Sequence, residues 1–233
     1  MVKNLEKLES IIDYKFKDKS LIELALTHKS YAYENTTESE KIYNERIEFL
    51  GDAILEHVIS SMLYKDPSNL SEGKMSKMRA EMVCEVSLSS AMKRYDLEDF
   101  IKLGKGEIKT DGRHKDAIIA DAFESIVGAI YLDSGYEDAK KFIFKILDKE
   151  ISEVMNGKNV NEDYKTNLQE ELQKNGTVKI EYNLLNESGP DHDKTFNVEV
   201  LLNGKKIGEG YGKNKKQAEQ SAAKNALSEK RWN

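Results

Sequence analysis

The chain has 233 residues, 39% of them hydrophobic and 33% charged, with a net charge of −6; that length allows one domain of about 150 residues plus a smaller one. No apolar run approaches the roughly 18 residues of a membrane span, and the N-terminus mixes acids and bases among its apolar positions, so neither a membrane anchor nor a signal peptide is expected. A single cysteine, Cys84, permits no internal disulfide, no Cys/His cluster has zinc-ligand spacing, and a cytoplasmic location is expected.

From Leu5 to about Met155 apolar residues recur at helical spacing and proline occurs once, at Pro67. This predicts an all-α first domain over 1–155. In its helix at 44–63 the side chains of Glu45, Glu48 and Asp52 fall within about 60° of one another. Ile47, Leu50, Ile54 and Val58 lie opposite, while Phe49, Ile59 and Leu63 flank the acidic row, so the helix is expected to be largely enclosed. A second helix at 116–132 is apolar or small nearly all round, except for Asp121 and Glu124.

Like charges three residues apart destabilise a helix by about 0.2–0.5 kcal/mol, and burying them unpaired costs several kcal/mol each. Something must offset that cost. A hard divalent cation held jointly by Glu48, Asp52, Asp121 and Glu124 would do so, and magnesium prefers carboxylate oxygen and bridges to phosphate. Ion pairs with arginines such as Arg46, Arg79 or Arg94 would do so too, and spacing alone leaves both open.

Residues 156–163 carry a glycine and three asparagines but no aromatic residue, which places a linker at 156–162 and a second domain at 163–233. There Tyr164, Leu168 and Leu172 predict a short amphipathic helix. Val178, Ile180, Tyr182 and Leu184 alternate with polar residues, as do Phe196, Val198, Val200 and Leu202, and Asn203-Gly204 predicts a type I′ turn into a third strand. Asn214 with Gln217 resembles a capping box, and Ala218, Ala222, Ala223, Ala226 and Leu227 give the closing helix a small-residue face. The expected order is α-β-β-β-α. This part carries +1 against −7 for the rest, with +5 concentrated between Lys205 and Arg231, which a nucleic-acid footprint could use.

The segments NERIEFLGDAIL (44–55), LTHKSY (26–31), SEGKMSKMRA (71–80), LGKGE (103–107) and ADAFESIVGAIYLDSG (120–135) resemble the motifs of the ribonuclease III family and span the helical domain. In the second domain TNLQEELQ (166–173), GPDHDKTF (189–196) and KNKKQAEQSAA (213–223) resemble the double-stranded-RNA-binding domain. The resemblance implies a homodimeric endoribonuclease with a helical endonuclease domain, using Mg2+ or Mn2+ in its place. It would cut double-stranded RNA to leave short 3′ overhangs in rRNA and mRNA processing. It assigns Glu48, Asp52, Asp121 and Glu124 to metal binding and catalysis, and gives Glu45 and Glu72 a supporting or dimer-linked role.

By the same resemblance Thr166, Gln169 and Glu170 meet one minor groove and His192 the next, with Lys213, Asn214, Lys215 and Lys216 at the phosphates between. A-form RNA displays 2′-hydroxyls in its shallow minor groove, which suits this mixture of polar and cationic side chains. Asn214 stands where the family usually has Ser, and both are good N-cap residues. A non-cleaving double-stranded-RNA-binding protein of the same fold is the alternative, disfavoured because all four carboxylates are present. A calcium-binding helical protein is discounted, since no D-x-[DN]-x-[DN]-G loop occurs.

Overall fold

The structure, a computed structural model, describes residues 5–35, 42–157, 164–174, 178–190, 194–230 and 232. Contacts divide the chain into two units, Met1–Val160 and Asn161–Asn233. The first contains, among the described residues, α1 (Leu5–Ile12), α2 (Lys19–Ala25), α3 (Lys29–Asn35), α4 (Glu45–Tyr64), α5 (Glu72–Met82), α6 (Glu85–Arg94), α7 (Lys105–Lys109), α8 (Asp116–Ser134), α9 (Tyr136–Ile146) and α10 (Asp148–Met155). Local chemistry sets several ends. The carboxylate of Asp18 accepts from Ser20 N to start α2, the hydroxyl of Ser71 accepts from Lys74 N to start α5, and Gly135 ends α8 with φ of +91°.

The apolar character of α8 makes it the central helix: Ile119, Ala122, Phe123, Ile126, Val127, Ala129 and Ile130 are fully buried. Along it lies α4, contributing Ile47, Leu55, Val58, Ile59 and Leu63 to the same core. The expectation that α4 is largely enclosed needs correction. Phe49 is 80% exposed and Tyr64 79%, because the buried residues of α4, Ile47, Gly51, Leu55, Val58, Ile59 and Leu63, share one arc of the helix and these two fall outside it. Farther out, the Arg94 guanidinium donates to Glu150 Oε1 at 2.7 Å and to Ile146 O at 2.7 Å, tying α6 to the start of α10.

The second unit runs α11 (Tyr164–Gln173), β1 (Ile180–Ser188), β2 (Thr195–Leu202), β3 (Lys205–Gly212) and α12 (Lys215–Glu229). Its sheet is antiparallel in the order β1-β2-β3, with Tyr182 opposite Val200 and Val198 opposite Gly210. Asn203 and Gly204 both have positive φ, +51° and +83°, as a type I′ turn requires. Leu168, Leu172, Val198, Val200, Ile207 and the four alanines of α12 at 218, 222, 223 and 226 form the core. The alanines matter because β3 brings glycine against them: a Cβ on Gly210 would lie 2.1 Å from Ala222 N, and one on Gly212 would lie 2.4 Å from Ala218 N.

Candidate active site

Two glycines bring the acidic helices together. A Cβ built on Gly51 of α4 would lie 1.8 Å from the carbonyl oxygen of Glu124, and one on Gly128 of α8 would lie 2.4 Å from the carbonyl oxygen of Ile47. Backbones that approach this closely leave no room for any side chain at the crossing. The crossing therefore sets Glu48 and Asp52 against Asp121 and Glu124.

Carboxylate oxygens of Glu48, Asp121 and Glu124 all lie within 4.8 Å of one another. Asp52 stands outside this trio, on the more exposed side, yet its charge is the strongest single carboxylate influence on Glu124. Burial, then the negative charges of Asp52, Glu48 and Asp121, push the Glu124 carboxyl up to about 8. Burial and then Asp121 and Glu45 push Glu48 up to about 7. Asp121 is raised by burial and by Glu85, and Asp52 by burial and by Glu56. Desolvation disfavours a lone carboxylate, and neighbours of like sign add to it.

None of the four makes an ion pair or side-chain hydrogen bond with another described residue. None of the arginines considered for neutralising them forms an ion pair with the four among the described residues, although the charge of Arg79 offsets part of the rise at Asp52. Arg79 donates to Ser60 Oγ at 2.9 Å and lies 3.8 Å from Glu56, and Arg94 is taken up by Asp148 and Glu150. Arg46 is exposed and, among the described residues, forms no ion pair with the four. Of the two supporting acids, Glu45 is exposed and paired with Lys29 Nζ at 3.2 Å. Glu72 opens α5, accepts from Ser76 Oγ at 3.0 Å, and borders a groove lined by Leu63, Tyr64, Met75 and Arg79. Neither belongs to the trio.

In the second unit Thr166, Gln169 and Glu170 are exposed on α11, and Lys213, Asn214, Lys215 and Lys216 are exposed at the start of α12. Thr166, Gln169 and Lys216 border one hollow. Asn214 Oδ1 accepts from Gln217 N at 2.9 Å, while Gln217 Oε1 accepts from Lys213 N at 3.1 Å, one residue earlier than a capping box usually reaches. His192 lies outside the described residues. Sequence reading overlooked Lys165, which lines the same hollow, pairs with Glu219 at 2.6 Å and sits 4.6 Å over the Tyr182 ring. It also overlooked Gly51 and Gly128, whose signal was a glycine in mid-helix inside each acidic motif.

An acidic crossing in a helical domain, with a polar and cationic face on a separate α-β-β-β-α unit, defines a nucleic-acid-processing protein. Residues 18–151 match the family model Ribonuclease-III-like, and residues 164–230 match Double-stranded RNA binding motif. Among curated relatives, Ribonuclease 3 of Caldanaerobacter subterraneus subsp. tengcongensis is 47% identical over 224 residues, covering 96% of this chain and 97% of that protein. Ribonuclease 3 of Streptococcus pneumoniae (strain R6) is 48% identical over 221 residues, 94% of each. A solved nuclease domain of ribonuclease III from Campylobacter jejuni superposes with a TM-score of 0.58 at 40% identity, covering 64% of this chain and 99% of that one.

The chain belongs to the ribonuclease III family and is an endoribonuclease acting on double-stranded RNA.

Proposed function

We propose that Glu48, Asp52, Asp121 and Glu124 hold Mg2+, with Mn2+ able to replace it, and that the RNA phosphodiester is hydrolysed there. One observation carries this reading: three carboxylate oxygens within 4.8 Å of one another, half-buried and in no ion pair with a described residue. Two ligands of a single magnesium ion lie at most about 4.2 Å apart, so the spread fits one ion after small side-chain adjustments. When bound, the cation supplies activation of water and stabilisation of the leaving oxygen.

The chain's own residues prepare that chemistry. Glu48 and Glu124, raised to about 7 and about 8, give up their protons as they take a ligand role. Asp52, at the exposed edge, is suited to orient the attacking water toward the phosphate. Glu45 and Glu72 support the site or a dimer contact. Thr166, Gln169, Glu170 and His192 read the minor grooves, and Lys213, Asn214, Lys215 and Lys216 hold the intervening phosphates.

Two copies would act together, each cutting one strand to leave short 3′ overhangs on rRNA and mRNA precursors in the cytoplasm. The exposed Phe49 side chain on α4 supports a dimer, as does the Campylobacter jejuni relative, described as having a region involved in dimer formation. We place the linker between the two units at 156–162. The test is incubation of the purified protein with long duplex RNA, with and without Mg2+, followed by end analysis. Glu124→Gln is expected to retain duplex binding and lose at least about 100-fold in cleavage; undiminished cutting by this variant rejects the site.

A further inference from the structure

We propose that Lys29 contacts the substrate at the cleavage site, its ammonium engaging a non-bridging oxygen of the phosphate held at the α4–α8 crossing. This inference rests on the site reading above and deepens it. Lys29 opens α3, and the backbone around it is pinned by two other segments, one at Asn44 and one at Lys102–Gly104. Asn44 N donates to Thr27 O at 3.0 Å and His28 N to Lys102 O at 3.2 Å; Gly104 N donates to Ser30 Oγ at 2.9 Å. The buried ring of His28 closes the turn: its Nδ1 accepts from Ser30 N at 3.2 Å and lies 2.8 Å from Ser30 Oγ. A turn held from so many sides delivers its side chain to a fixed place.

That place is beside the first turn of α4. Lys29 Nζ is 3.2 Å from Glu45 Oε1, and its side chain is 58% exposed. Glu45 and Glu48 are three residues apart on α4 and share a face of it, so an ammonium paired with Glu45 stands at the rim of the acidic crossing. An exposed ion pair contributes little to folding, so the pair with Glu45 does not by itself account for a lysine at this place. Charge counting does. Four carboxylates outweigh one divalent ion and only balance two; the RNA phosphate then adds its own charge, which is redistributed toward its oxygens during cleavage. A lysine at the rim is a compact point charge with three donors that can exchange Glu45 for a phosphate oxygen.

The test uses the full-length protein on a duplex RNA with one cleavage site, under single-turnover conditions across a Mg2+ titration. Lys29→Gln is expected to cut roughly 100-fold more slowly, with the half-saturating Mg2+ concentration and the melting temperature unchanged, while Lys29→Arg stays within about fivefold of the parent. A lysine that merely neutralised Glu45 would be dispensable once that charge is removed. The double variant Lys29→Gln/Glu45→Gln must therefore remain as slow as the single one. Recovery of cleavage in the double variant, or parental cleavage by Lys29→Gln, overturns the proposal. If Lys29→Gln melts early, Lys29→Arg decides, and a loss beyond tenfold in that variant overturns it. Glu124→Gln run alongside separates the two failures: cleavage by that variant sinks the site itself, whereas its inactivity beside an active Lys29→Gln sinks only the role of Lys29.

Discussion

Glu124 illustrates what a single residue costs the fold. Its carboxyl titrates near 4.5 when free and near 8 in the folded chain. Below pH 4.5 it is protonated in both states and costs nothing. As pH rises toward 8 the unfolded chain ionises freely and the folded one resists, so stability is lost across that window. In the absence of divalent metal the melting temperature should therefore fall between pH 5 and 8 more steeply for the parent than for Glu124→Gln. In a chain of this size each kcal/mol shifts it by about 2–4 °C. Added Mg2+ should restore the parent most at pH 8 and least at pH 5. Scanning calorimetry at several pH values checks this, and parallel curves for the two proteins would contradict it.

Helical periodicity made α4 and α8 legible, and the alternation of Phe196, Val198, Val200 and Leu202 made β2 legible, because those patterns are local. Which acids meet is not local. The convergence of Glu48, Asp121 and Glu124 depends on Gly51 touching the backbone of Glu124, 73 positions away, and the offset position of Asp52 follows from the crossing rather than from its own helix. The bounds of β1 shifted for a similar reason: alternation begins at Val178, but pairing with β2 runs from Ile180 to Ser188 past an irregularity between Leu184 and Asn186. Lys165 was hidden because its partner Glu219 lies on another helix. At this scale Gly51→Ala is the informative change. Its added methyl improves helix propensity by about 1 kcal/mol, but it must displace α8, a strain of about 1–3 kcal/mol or more. We expect a lower melting temperature and, because a 1 Å misplacement can cost about 100-fold, a larger loss in cleavage rate than in duplex binding.

For the whole molecule, the charge division matters more than the net −6. A helical unit of negative charge carries the acidic crossing, and a separate unit presents Lys213, Lys215 and Lys216 at one helix start. Replacing Lys215 and Lys216 together by Gln should weaken duplex RNA binding to a similar degree on unrelated sequences and flatten the dependence of log affinity on log salt by about two. Filter binding from low to moderate salt measures the slope, and an unchanged slope would remove these lysines from the phosphate contact.

The contact between Gly51 and Glu124 has one more consequence. In most enzymes the scaffold can be stiffened at a distance from the chemistry, but here a missing side chain is the hinge-pin on which both depend. Any effort to make this protein hardier by filling its tightest seam would pry apart the two acidic helices, so heat tolerance has to be sought elsewhere, for instance at the α6–α10 tie of Arg94 and Glu150.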